Sequence, residues 1–156
     1  MSNDLYRKDI GNDYLVVKCI WQEDVCYHLR LYGYGFKGDR YPTPNGIMFF
    51  EQQWQTLMNT VSEIDEYLQK NIVKKSVPIG NDVYVTIDNK YPGVNIRKFW
   101  WCEEERMPKP TRKGVHLNLK QWEALKVSFK ELCENNFTCE EPPLGVVGLA
   151  KAETCV

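Results

Sequence analysis

Hydrophobic positions follow the same rhythm twice along this chain. Tyr14 to Trp21 (YLVVKCIW) and Val83 to Ile87 (VYVTI) are dense in β-branched and aromatic residues and read as strands. After a short polar turn, each is followed by a second strand-like run, Val25 to Tyr32 and Val94 to Trp101. The second of these turns, Asp88-Asn89-Lys90-Tyr91-Pro92-Gly93, is built from residues that favour chain reversal. A polar stretch with Gly and Pro comes next, then a short apolar strand, Ile47-Met48-Phe49 or Val115-His116-Leu117. The spacing then becomes helical. Trp54, Leu57, Met58, Val61, Ile64 and Leu68 share one helical face, as do Trp122, Leu125, Phe129, Leu132 and Cys133. Asn118 followed by Gln121 predicts a capping box for the second helix, whereas Phe50 at the equivalent place predicts a weaker or different cap.

The parallel extends to short motifs. Ile10-Gly11-Asn12-Asp13 recurs as Ile79-Gly80-Asn81-Asp82, an offset of 69, and Arg30 matches Arg97 at 67. Gly46 matches Gly114, and Gln53-Trp54-x-x-Leu57 matches Gln121-Trp122-x-x-Leu125, both at 68. Four matches in one order with nearly constant spacing predict two copies of one unit, each of about four strands followed by one helix. The expected division is 1–76 for the first unit, 77–137 for the second and 138–156 for a flexible tail, with Lys70 to Pro78 as linker. A unit this small buries proportionally little surface, so the two are expected to pack on each other as an internal pseudo-dimer. Self-association of whole chains into a further homodimer is left open.

Charge changes the picture locally. Lys+Arg is 20 and Asp+Glu is 21, so a globally polycationic nucleic-acid binder is excluded and any basic footprint must be confined to one region. Lys90 to Lys113 is that region. Lys90, Arg97, Lys98, Arg106, Lys109, Arg112 and Lys113 face only Glu103, Glu104 and Glu105, with Tyr91, Phe99, Trp100 and Trp101 interleaved. Cations neutralise phosphates and exposed aromatics stack on bases, so this mixture on a sheet suits single-stranded nucleic acid. Trp54 and Trp122 are assigned to the core. Trp100 and Trp101 are consecutive strand residues pointing to opposite faces, so one of them is expected to face a ligand or the other unit. The equivalent stretch of the first copy, Trp21 to Asn45, sets Arg30, Lys37 and Arg40 against Glu23, Asp24 and Asp39 and is locally neutral.

The residues of the second copy carry a resemblance. Val94-Asn95-Ile96-Arg97-Lys98-Phe99-Trp100, then Met107 to Asn118 (MPKPTRKGVHLN) and Gln121-Trp122, resemble the transcriptional positive cofactor four family, single-stranded DNA-binding coactivators of RNA polymerase II. The likeness covers about Ile79 to Glu134, and Ile10 to Gln69 fits the same pattern weakly. The resemblance implies an α+β fold in which each unit is a curved four-stranded antiparallel sheet followed by one helix. It also implies that paired sheets hold single-stranded DNA in basic and aromatic grooves. By position it implies that Arg97, Trp100, Lys109, Arg112 and Lys113 face DNA, with Lys90 and Lys98 beside them. Tyr91 stands near the family's stacking phenylalanine, Trp21 takes that place in the first copy, and Arg30 corresponds to Arg97 with Lys37 nearby. The first copy departs at Gly33, Tyr41, Pro44 and Asn45, where the family has tryptophan, lysine and an Arg-Lys pair. It is therefore expected to serve mainly as a structural half.

The expected partners are single-stranded DNA, with RNA left open, and the transcription or replication machinery, in the nucleus by resemblance. The alternative is a protein-interaction scaffold that kept the fold and lost most nucleic-acid binding. No catalytic residue, cofactor or metal is expected. The chain lacks GxSxG, P-loop, HExxH and CxxC motifs, and Glu103-Glu104-Glu105 reads as a solvated loop. A zinc site from Cys133, Cys139 and a histidine has poor spacing. With no signal-peptide pattern and no long apolar run, no membrane association is expected and the six cysteines read as reduced intracellular thiols.

Overall fold

A computed structural model describes residues 4–135. The order is β1 (Asp4–Gly11), β2 (Tyr14–Trp21), β3 (Asp24–Tyr34), β4 (Arg40–Phe50), α1 (Glu51–Asn59), α2 (Val61–Gln69), β5 (Lys74–Gly80), β6 (Val83–Asp88), β7 (Tyr91–Cys102), β8 (Met107–Leu117) and α3 (Leu119–Asn135). Strands β1 to β4 form one antiparallel sheet in sequential order, and β5 to β8 form a second. The architecture is the expected α+β one, two four-stranded sheets each followed by helix. The tail assigned to 138–156, with Cys139 and Cys155, lies outside the described residues. Among the described residues no helix is long and apolar enough to cross a membrane.

The repeated motifs do the same work in each half. Asn12 and Asp13 have φ of 55° and 65°, and Asn81 and Asp82 have 53° and 63°. Both pairs close two-residue hairpins in the left-handed backbone region, which Asn and Asp tolerate. The glutamines of the two helices then reach across. The Gln53 side chain donates to the Gly80 carbonyl at 3.0 Å, and Gln121 donates to the Gly11 carbonyl at 2.9 Å. Each helix start thus holds the first hairpin of the other unit. One continuous core includes Leu29, Phe49 and Trp54 from the first unit and Val85, Ile96, Trp122 and Phe129 from the second. Trp54 stacks on Tyr27 at 4.4 Å and meets Phe129 of α3 edge-on at 4.9 Å. Trp54 and Trp122 are both core residues, as expected.

Three local readings are corrected. Lys74 to Pro78, expected as linker, belongs to β5. Val77 and Ile79 alternate into the core, and an edge strand tolerates lysines and a proline whose missing N–H would face away from its only partner. The Gly- and Pro-containing stretches are likewise strand, because β4 and β8 are edge strands and begin at Arg40 and Met107. The first unit's single expected helix is split at Thr60, whose hydroxyl donates back to the Leu57 carbonyl at 2.7 Å, a contact that bends helices. The caps differ as their residues predict. Asn118 and Gln121 make both halves of a capping box, at 2.9 and 2.7 Å, whereas Phe50 only donates its backbone N–H to Gln53, at 3.0 Å.

Candidate nucleic-acid interface

Strand β7 sets the geometry. Val94 and Ile96 point into the core, so Asn95, Arg97 and Phe99 point outward. Thr86 and Tyr84 of β6 lie beside Asn95 and Arg97, while His116 and Pro110 of β8 lie beside Asn95 and Phe99. With Tyr91 and Lys74, all of these side chains except Tyr84 line a groove of about 470 Å³. Phe99 meets Tyr84 edge-on at 5.3 Å, and Tyr91 is exposed.

Arg97 lies flat across this face. Its Nη1 donates to the Thr111 carbonyl at 3.0 Å and its Nε to Asn95 Oδ1 at 3.3 Å. Gly114 permits the crossing, since a Cβ there would sit 2.7 Å from the Arg97 Cα. Burial pushes the guanidinium pKa down from its ordinary high value, yet arginine stays a cation at neutral pH. Arg30 repeats the arrangement, donating to the Thr43 carbonyl at 3.1 Å beside Gly46.

A bulge aims the remaining cations. The β7–β8 register passes from Arg97↔Gly114 to Phe99↔Pro110, leaving surplus residues on β8. The Thr111 hydroxyl donates to the Lys98 carbonyl at 2.7 Å and accepts the Lys113 N–H at 3.1 Å, which fixes the bulge. Arg112 reaches a cleft shared with Arg97, His116 and, from the first unit, Tyr14 and Asn45. Lys113 and Lys98 line a cleft at the seam between units, together with Arg30. None of Lys90, Lys98, Arg112 and Lys113 takes an ion pair with a described residue.

The expected site residues are therefore not all gathered together. Tyr91 and Arg97 line the groove, and Arg112 adjoins it. Lys98, Lys113 and Arg30 meet at the seam. Trp100 lies on the side of β7 opposite Arg97, beside Lys109, which pairs with Glu105. Trp100 and Trp101 are 49% and 53% exposed, so neither enters the core. The reason is that β7 runs past its last pairing with β6, at Lys98, and continues as a ribbon with β8 alone. Lys90 is exposed in the β6–β7 turn, Lys37 in the β3–β4 turn, and Trp21 at the end of β2. Sequence reasoning missed Phe99, Asn95, His116 and Lys74 as groove residues. Alternation outward from Arg97 points to Asn95 and Phe99, but His116 follows only from its pairing with Asn95, and the sequence places Lys74 in the linker.

The corresponding face of the first sheet is closed. Leu15, Val17 and Tyr32 form a small buried cluster there, where the second sheet has Tyr84, Thr86 and Phe99. Arg40 is paired with Asp9 and Asp13 at 3.4 and 3.2 Å and lies over the Tyr34 ring. Arg7 is paired with Asp4 at 3.0 Å and lies over Tyr32. Arg7 and Arg40 on this face are thus ion-paired within the unit, whereas Lys90, Lys98, Arg112 and Lys113 of the second unit take no ion pair with a described residue.

No curated protein matches the chain. Strand β7, the bulge and most of the groove lining, though not Lys74, fall within residues 79–128, and that stretch, about a third of the chain, matches the model of the family Transcriptional Coactivator p15 (PC4).

Proposed function

We propose that the second unit binds single-stranded DNA with little regard to sequence, and that the protein acts as a transcription coactivator in the nucleus rather than as an enzyme. Bases stack on Tyr91 and Phe99 in the groove, while Arg97, Arg112, Lys113 and Lys98 follow the backbone toward the seam. The two halves of the chain are read as tandem copies of one unit, of which the first is the structural partner. One observation carries this reading: a groove floored by aromatics of the family-matched stretch adjoins cations that take no ion pair with a described residue. Stacking contributes about 1–3 kcal/mol per base and tolerates any base, and each neutralised phosphate adds salt dependence.

The test is a tryptophan-fluorescence titration with an oligonucleotide of about 20 bases, long enough for one such groove, at low and high salt beside a duplex competitor. A salt-sensitive response that survives the competitor is expected. Replacing Arg112 and Lys113 by alanine should flatten the log–log salt slope by roughly 0.7 per lost phosphate contact. Absence of any salt-sensitive response would overturn the reading and favour a protein-interaction scaffold. The closed face of the first unit favours that second reading for the first unit alone.

A further inference from the structure

We propose that Cys19 and Cys26 are a reversible thiol pair that closes a disulfide across β2 and β3 on reaction with a peroxide. The two residues are direct partners in the antiparallel register, so their side chains leave the sheet on the same face. Their sulfurs lie 3.5 Å apart. Opposed residues in an antiparallel pair have Cα atoms about 4.5–5.5 Å apart, within the span a disulfide bridges, so side-chain rotation suffices.

His28 decides against the other use of this cluster. The Cys19, Cys26 and His28 ligand atoms lie within 4.8 Å of one another, a spacing that would also suit a soft metal ion. The His28 Nδ1, however, receives the Arg30 guanidinium, at 3.4 Å from Nε and 3.2 Å from Nη2. A guanidinium only donates, so Nδ1 holds the lone pair and Nε2 carries the proton. That Nε2–H faces Cys26 Sγ at 4.0 Å and has no lone pair to offer a metal. Two sulfurs remain, facing each other.

Access sets the order of events. Cys26 is fully buried, and burial pushes its thiol up to about 12, whereas Cys19 is only half-buried. The Cys19 thiolate attacks a peroxide oxygen, the O–O bond breaks, and Cys19 becomes a sulfenic acid as hydroxide leaves. The Cys26 sulfur then attacks the Cys19 sulfur. The S–S bond forms, the S–O bond breaks, and the Cys26 proton leaves with the hydroxyl group as water. In sum two thiols are oxidised to one disulfide and hydrogen peroxide is reduced to two waters. An external dithiol reverses the bond by exchange.

The sequence makes the test clean. Trypsin cuts after Lys18 and Arg30, and the peptide Cys19 to Arg30 holds these two cysteines and no other. The full-length chain is treated with hydrogen peroxide, alkylated and digested. The expected result is that this peptide escapes alkylation and is lighter by two hydrogen atoms, that dithiothreitol restores it, and that Cys19→Ser abolishes the change. Recovery of Cys19 as a sulfinic acid beside an alkylated Cys26 would overturn the proposal. So would protection of both thiols by zinc in the reduced protein, because that outcome requires the metal site excluded above.

Discussion

Arg97 is immobilised before any ligand arrives. Its two hydrogen bonds to Thr111 and Asn95 hold the guanidinium flat on the sheet, so a strand entering the groove meets a placed charge. The aromatic contribution is expected from Phe99, which shares that face, more than from Trp100, which does not. Phe99→Ala should weaken single-stranded DNA binding by about 1–3 kcal/mol and Trp100→Ala by less, measured by competition with a labelled oligonucleotide. The reverse ranking would place the strand on the other side of β7. A second residue-scale prediction concerns stability. The Trp122 indole N–H donates to Asp65 at 2.8 Å, and Lys126 meets the same carboxylate at 2.8 Å. Asp65→Ala strands a buried indole donor and should cost about 1–3 kcal/mol in urea unfolding. Trp54 already bears such a cost, since its buried Nε1 has no partner.

Among the elements, α3 and β1 are clasped at Glu131. The Tyr6 hydroxyl donates to its carboxylate at 2.7 Å and Lys8 lies at 3.2 Å. These two partners, Tyr6 first, hold the Glu131 carboxyl below the usual carboxylate range. A carboxyl depressed in the folded state contributes stability that is present above its unfolded pKa, about 4.3, and is lost as pH falls through the lower folded value. Stability should therefore fall on acidification below about pH 5, and Glu131→Gln should make that acid limb shallower in pH-dependent denaturation. The edge strands follow the same local logic. β5 carries Lys74, Lys75 and Pro78, residues that discourage pairing with another chain, so the second sheet's free edge is blunted.

At the scale of the whole molecule, the two sheets cannot be separated without cutting the core. Trp54 packs against Phe129, and each helix-start glutamine satisfies a carbonyl in the other half. Residues 74–135 expressed alone should pair with a second copy or lose cooperative unfolding, as read by sedimentation and circular dichroism; a stable monomer would show that the core divides. The asymmetry of charge has a counterpart in binding. Ion pairs close the first face and, among the described residues, none closes the second, so one strand is expected per chain.

How much of this was legible in the sequence depends on the range of the cause. The strand and helix periods, the recurrence of the Asn-Asp motif, the capping box and the buried Trp54 and Trp122 follow from residues close to each other in sequence, and are readable there. β5 is not, because only pairing with β6 makes a strand of Lys74 to Pro78. The groove was half readable. Tyr91, Arg97 and Arg112 could be named from residue type, but whether the side of β7 carrying Trp100 is covered by core depends on how far that strand outruns its neighbour. Side-chain chemistry and local periodicity are properties of the chain, so the sequence by itself determined the repeated α+β plan and the basic, aromatic segment. Which cations stay unpaired, and which residues of β5 and β8 join Arg97 in the groove, depends on register between distant strands and on packing of two units, and only the tertiary structure decided those.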